Sequence, residues 1–379
     1  MPAARLVGQG RRSVGAMVGW WCAILLAVAL LAGASHAAPP PDRIATLQRG
    51  INLTGWFRFP ASLDPVALRH WIGDDAIAAL HRTGFGFVRL AVDPAVLSAP
   101  GVPAALVEAI RRLQHAGLAV VVALHPDGWH LEIDPSDRAR LFDAWHLLGL
   151  LLASLDPRLT VPELLNEPVF PGDPGGWQQL QHRLLGALRQ TLPEHTVVLT
   201  GNDWGSVNGL LAMTPEVDPD VLYSIHLYDP AELTSMAAWR GALDRTALAR
   251  LPFPTTDEGA CRAAADRTDP DTAGVIQYYC AQHWDATRVT AKLAAAAAWG
   301  RRYAIPILLG EFGATAALNQ PARLAWLRSM RSAAEAARMP WALWGYDDIM
   351  GLNIRRPPGM SPSLNPAVLQ ALGLMTTPK

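Results

Sequence analysis

Two glutamates stand out for where they fall. Glu167 closes an apolar run in Leu164-Leu165-Asn166-Glu167-Pro168, and Glu311 closes another in Leu309-Gly310-Glu311-Phe312-Gly313. A carboxylate at the end of such a run has little packing rationale, so each is a candidate for chemistry. Paired carboxyls suit the cleavage of a glycosidic bond. One donates a proton to the leaving oxygen and the other manages the developing oxocarbenium charge. Their surroundings must differ, so that one holds a proton while the other is ionised.

Other polar residues follow apolar runs in the same way. Arg89 lies in Val88-Arg89-Leu90, His125 follows Leu124, Asn166 precedes Glu167, and His226 and Tyr228 close Ser224-Ile225-His226-Leu227-Tyr228. Arg89 can keep Glu311 ionised, since an opposite charge lowers a carboxylate pKa. Tyr228 can hydrogen-bond Glu311, Asn166 can hold a sugar 2-hydroxyl, and the two histidines offer neutral donors. Plainer readings stand beside these: Arg89 as a brace inside a barrel, His125 and His226 as satisfied core histidines. Trp344 and Trp341 both offer an apolar face to a pyranose ring. They are three residues apart and so point to opposite sides of a strand.

The elements that must position these residues alternate. Strands are expected over Gly50–Thr54, Gly86–Val92, Leu118–Leu124, Val161–Asn166, Thr196–Thr200, Val221–His226, Ala304–Leu309 and Pro340–Trp344. Several are near-continuous Val, Ile and Leu, as parallel strands buried on both faces require. Helices are expected over Asp74–Arg82, Pro103–His115, Pro135–Leu155, Gly176–Thr191, Ser206–Met213, Ala286–Trp299, Pro321–Arg338 and Pro366–Leu372. This alternation implies α/β architecture, a closed (β/α)8 TIM barrel whose C-terminal strand ends gather the site. An open doubly wound sheet is the other arrangement with this order, but no glycine-rich phosphate fingerprint follows the first strand. One connection, Asp229–Asp285, is unusually long and rich in Pro, Asp, Thr and Ala. It is expected to be a loop bordering a substrate cleft.

The 379 residues suffice for a single large core. The net charge of −1 gives no field that favours nucleic acid. Lys292 and Lys379 are the only lysines, neither inside an expected strand, which argues against Schiff-base chemistry. Arg11-Arg12, the apolar stretch Val14–Ala32 and the small residues around Ala37 read as an export signal over residues 1–37. An uncleaved membrane anchor is the alternative. A linker over 38–48 and one catalytic domain over 49–379 follow. Export places Cys261 and Cys280 in an oxidising compartment as an even pair, for which a disulfide is expected. His125, Asp127 and His130 lack the spacing of a metal site, and Asp347-Asp348 is taken as a solvated turn. Neither a metal nor a cofactor is expected.

The set from about Ile44 to the C-terminus resembles glycoside hydrolase family 5, the cellulase-like retaining barrel enzymes. Asn166-Glu167-Pro168 resembles the family's acid/base motif, and Gly310-Glu311-Phe312-Gly313 its nucleophile motif. Arg89, His125, His226, Tyr228 and Trp344 follow the family's chain order, which selects Trp344 over Trp341. Arg49-Gly50-Ile51-Asn52-Leu53 is similar to its first strand. The resemblance implies double displacement, with Glu311 attacking, Glu167 as acid and then base, and carboxyls roughly 5–5.5 Å apart. The expected function is an exported, monomeric endo-β-1,4-glucanase of periplasm or medium, acting on a polysaccharide and not on nucleic acid. A β-mannanase, a β-1,3-glucanase, or a non-catalytic polysaccharide-binding component of an exopolysaccharide assembly are the alternatives.

Overall fold

A computed structural model describes residues 38–354 and 363–375. The expected export signal over 1–37 lies outside the described residues. Eight parallel strands form a closed barrel in sequence order. They are β1 (Arg49–Phe57), β2 (Phe87–Val92), β3 (Ala119–Leu124), β4 (Thr160–Glu163), β5 (Val197–Thr200), β6 (Val221–His226), β7 (Ile307–Phe312) and β8 (Trp341–Leu343). The pairing of β1 with β8, Gly50 opposite Ala342, closes the ring and rules out the open sheet.

Alternation along each strand sorts side chains into two cores. Phe87, Val121, Val161, Val198, Leu222, Leu308 and Ala342 point inward and fill the barrel. Val88, Val120, Val122, Leu199, Ile225 and Leu309 point outward and pack with the surrounding helices. Burial on both faces explains the near-continuous apolar runs; all six residues of β3 are buried. Side-chain caps start the helices at fixed points. Asp134, Asp173, Asp285 and Asn319 each accept a backbone N–H from the first turn of the helix they precede.

The stretch 38–48, read as a linker, carries a helix over Pro41–Thr46. Arg43 donates to Asp220 at 2.7 Å, and Leu47 joins the inner apolar cluster. Three strands depart from expectation by three residues or more. β1 runs on to Phe57 through a register shift after Leu53. β4 ends at Glu163, so Asn166 and Glu167 stand in the connection beyond it. β7 starts at Ile307 because Ala304 closes the preceding helix in the left-handed region, with φ 55°.

The long connection is not a bare loop. It forms helices over Ala231–Thr234, Arg245–Leu248, Glu258–Arg262 and Pro270–Ala281. Its aspartates, which suggested loop, are helix caps: Asp244, Asp257 and Asp269 each accept a first-turn N–H. Cys261 and Cys280 are joined as a disulfide, with Cα atoms 5.8 Å apart. Among the described residues no helix is long and apolar enough to cross a membrane.

Candidate active site

Above the inner apolar layer the barrel turns polar, and Arg89 organises that layer. It points inward from β2 and is fully buried. Its Nε and Nη2 donate to the two oxygens of Glu163 at 2.7 Å each, a bidentate pair. Nη1 donates to Asn52 Oδ1 at 2.9 Å and to Glu311 Oε1 at 2.5 Å, and Nη2 donates to Asn166 Oδ1 at 2.9 Å. Burial opposes the charge, but Glu163 and Glu311 outweigh it and hold the guanidinium firmly protonated. Asn52 is fixed in turn, donating to the carbonyls of Gly310 at 3.0 Å and Leu343 at 3.2 Å.

Glu311 reaches this layer through a local break in pattern. Leu308 faces the barrel axis and Leu309 faces the helices. Strict alternation would therefore send Glu311 outward. The pairing of β6 with β7 slips by one residue, Ile225 opposite Leu309 but His226 opposite Glu311. Gly310 is the extra residue of this bulge, which turns Glu311 inward. A Cβ on Gly310 would lie 2.2 Å from Ser224 Oγ, so any larger residue there must displace Ser224 or the bulge. Glu311 Oε2 accepts from the Tyr228 hydroxyl at 2.9 Å. Burial and the charges of Glu311 and Glu167 keep that phenol protonated and so a donor.

Glu167 has a positive φ of 44°, a strained conformation for a residue with a side chain and one found disproportionately at functional sites. Its Oε1 lies 2.9 Å from His226 Nδ1, and the same nitrogen lies 3.5 Å from Glu311 Oε2. One ligand-type atom from each of Glu167, His226 and Glu311 lies within 4.8 Å of the others. Such a triplet has the reach to hold a cation. Its oxygens already accept from Arg89, Tyr228 and His226, a set suited to proton transfer.

The carboxyls are driven apart electrostatically. Burial pushes the Glu311 carboxyl above its usual range and Glu167's charge adds to this, against His226, Arg89 and Tyr228. Burial also penalises ionised Glu167, but the short contact with His226 and that residue's charge bring it below its usual range. Burial opposes protonation of His226; Glu311 and Glu167 more than compensate and raise it. This order follows from His226 facing Glu167.

His125 is buried at the mouth, and neither ring nitrogen has a protein partner. Burial, then the charges of Arg89 and Arg58, hold it neutral. Its ring lies 6.2 Å from that of Trp344, near parallel. Arg58 sits 5.8 Å over Trp344. Trp341 is fully buried on the outer side of the barrel against Phe312. Trp56 and Trp177 are core residues, whereas Trp204 is 61% exposed. His130 pairs with Glu132, away from any grouping with His125.

The structure thus gathers Arg89, Asn166, Glu167, His226, Tyr228 and Glu311 into one network, with His125 and Trp344 beside it. Asn52 and Glu163 belong to it too, and sequence reasoning passed over both. The signal for Glu163 was a charge at an inward position of a buried strand, which demands a partner.

Fold and site together define a barrel of the glycosidase class. The family model Cellulase (glycosyl hydrolase family 5) matches residues 49–348, and the chain belongs to that family. It is similar to Endoglucanase 3 of Fibrobacter succinogenes, 26% identical over 224 residues, which are 56% of this chain and 33% of that protein. The chain thus spans about a third of that relative. It is also similar to Endoglucanase C of Acetivibrio thermocellus, 22% identical over 80% of this chain and 92% of the relative. Cel5A of Thermotoga maritima, solved with cellobiose, shares the fold with a TM-score of 0.70, 21% identity and coverage of 88% of this chain and 99% of its own.

Proposed function

We propose that the protein is an endo-β-1,4-glucanase that cleaves with retention, using Glu167 as acid/base and Glu311 as nucleophile. The observation that carries this is the convergence of the Glu167, His226 and Glu311 atoms within 4.8 Å. Carboxyls this close leave no room for an attacking water between them and a sugar, so direct attack by one of them is favoured. A Glu311 oxygen attacks the anomeric carbon as the glycosidic C–O bond breaks, and Glu167 gives its proton to the leaving oxygen. Glu167 then takes a proton from water, whose oxygen displaces Glu311 and restores the free carboxylate.

The hydrogen bonds support these roles. Arg89 and Tyr228 each hold one oxygen of Glu311, which aims it and favours its ionised form. A sugar oxygen seated against Glu167 takes the place of His226, removes the contact that lowers Glu167, and leaves it the proton donor. Arg89 occupies Asn166 Oδ1, which leaves the amide N–H groups for a 2-hydroxyl. Phe59 and Trp204, 58% and 61% exposed, offer apolar surface for a longer chain, which supports endo action.

The test is reducing-end release from β-glucans, mannan and xylan by the protein and by its Glu167→Gln and Glu311→Gln variants. Release from β-1,4-glucan that falls by at least about 10³-fold in both is expected. An aryl glucoside with an acidic leaving group should still form the covalent intermediate in Glu167→Ala, and not in Glu311→Gln. Release from mannan or β-1,3-glucan alone reassigns the substrate. No release, with equal sugar binding by all forms, leaves a binding protein on an enzyme fold.

A further inference from the structure

Behind His226, on the side away from the carboxyls, three buried polar atoms have no protein partner: His226 Nε2, Ser224 Oγ and Thr200 Oγ1. All three residues are 5% exposed or less. Ser224 and His226 are two apart on β6 and so share its inner face. Thr200 lies directly opposite Ser224 on β5. Gly310 closes the group from β7: the point where its Cβ would stand is 2.2 Å from Ser224 Oγ and 3.4 Å from His226 Nε2. Buried polar groups are almost always hydrogen-bonded, and one buried water is the partner that would satisfy all three.

We propose that Ser224 is a positioning residue for the proposed reaction, holding with Thr200 one buried water against His226 Nε2. This rests on the retaining reading above. A hydroxyl both donates and accepts, and so does water. Neutral His226, with its proton on Nδ1 toward Glu167, then finds a donor at Nε2; charged His226 finds an acceptor there. The relay sets how firmly His226 holds the proton it shares with Glu167 before a sugar takes its place. The other groups facing His226 are Glu167, Glu311 and Tyr228 in the network, Arg89 from β2 and His125 beyond β3. None of them lies on the Nε2 side with a contact to that nitrogen.

Without the relay the charged imidazole loses more than the neutral one, since bonds to charged groups are the stronger. The proton shared by Glu167 and His226 is then held less tightly. In Ser224→Ala the basic limb of kcat/KM should move to lower pH by roughly half to one unit, the shift one lost hydrogen bond produces. The imidazole ¹⁵N shifts of His226 should change in the same variant. Thr200→Val should move both in the same direction by less, and it replaces Ser224→Ala as the reporter should melting show that variant unfolded. A pH profile and ¹⁵N shifts that superimpose on those of the parent protein would overturn the proposal. Because the ¹⁵N measurement needs no turnover, it stands apart from the loss of activity in Glu311→Gln, which tests the reading itself.

Discussion

A carboxylate inside a ring of strands is only as useful as the groups that decide whether it carries a proton. For Glu311 those groups are Arg89 and Tyr228 on its two oxygens, with His226 nearby. The Tyr228 bond favours the ionised form, so its removal must raise Glu311 further above the carboxylate range. Tyr228→Phe should therefore shift the acid limb of kcat/KM to higher pH and lower kcat by about tenfold, measured on soluble β-1,4-glucan. An acid limb that stays in place argues that another group sets it. At this scale much of the site was legible. Glu167, Glu311, His226 and Tyr228 lie at the ends of apolar runs, Arg89 is a charge inside one, and a barrel gathers strand ends. Glu163 and Asn52 were not, because they act on Arg89 rather than on a sugar. What marks them is a partner on another strand, far away in the chain.

Strands and connections set the limits of what could be foreseen. The order of strands and helices followed from the apolar runs and their alternation. The ends did not, because β4 and β7 stop and start where tertiary pairing dictates. The bulge at Gly310 was invisible, since nothing in a Leu-Leu-Gly-Glu run announces a slip in register. Gly310→Ala forces a Cβ onto Ser224 Oγ, and either the bulge or Ser224 must shift. We expect kcat to fall by about 10²-fold with little change in melting temperature, read by kinetics and calorimetry together. In the long connection, aspartates read as loop formers were caps for helices that the disulfide holds together. The double variant Cys261→Ser, Cys280→Ser should lose about 3 kcal/mol in chemical denaturation, the entropy of closing a loop with 19 residues of separation, and keep its kcat at low temperature. A concurrent loss of kcat would show that the stapled segment shapes the cleft.

For the molecule as a whole, the large terms are closure of the barrel and the two apolar cores it separates. Acid should threaten it through histidines that fold uncharged. His195 has neither ring nitrogen partnered, and burial followed by Arg43 and Arg189 lowers its pKa to about 4. The folded value lies below the unfolded one, so the unfolded chain binds the extra proton first. Stability from this group is complete above about pH 6.5 and drains away as pH falls toward 4. His195→Gln should flatten the loss of stability over that window by on the order of 1–2 kcal/mol, measured by urea unfolding at several pH values. An unchanged slope assigns the acid sensitivity to the buried carboxyls.

The slip at Gly310 gives β7 two parities. Before it, Leu308 faces the axis and Leu309 faces out; after it, Glu311 faces the axis and Phe312 faces out. Inserting one further residue between Gly310 and Glu311 removes no side chain and leaves both glutamates in the sequence. It would nevertheless exchange the inward and outward sets beyond it, turning Glu311 toward the helices and Phe312 into the polar ring. This geometry can therefore be lost by the gain of a single codon for an amino acid that takes no part in it. A survey of the polar side chains alone would still count such a descendant as intact.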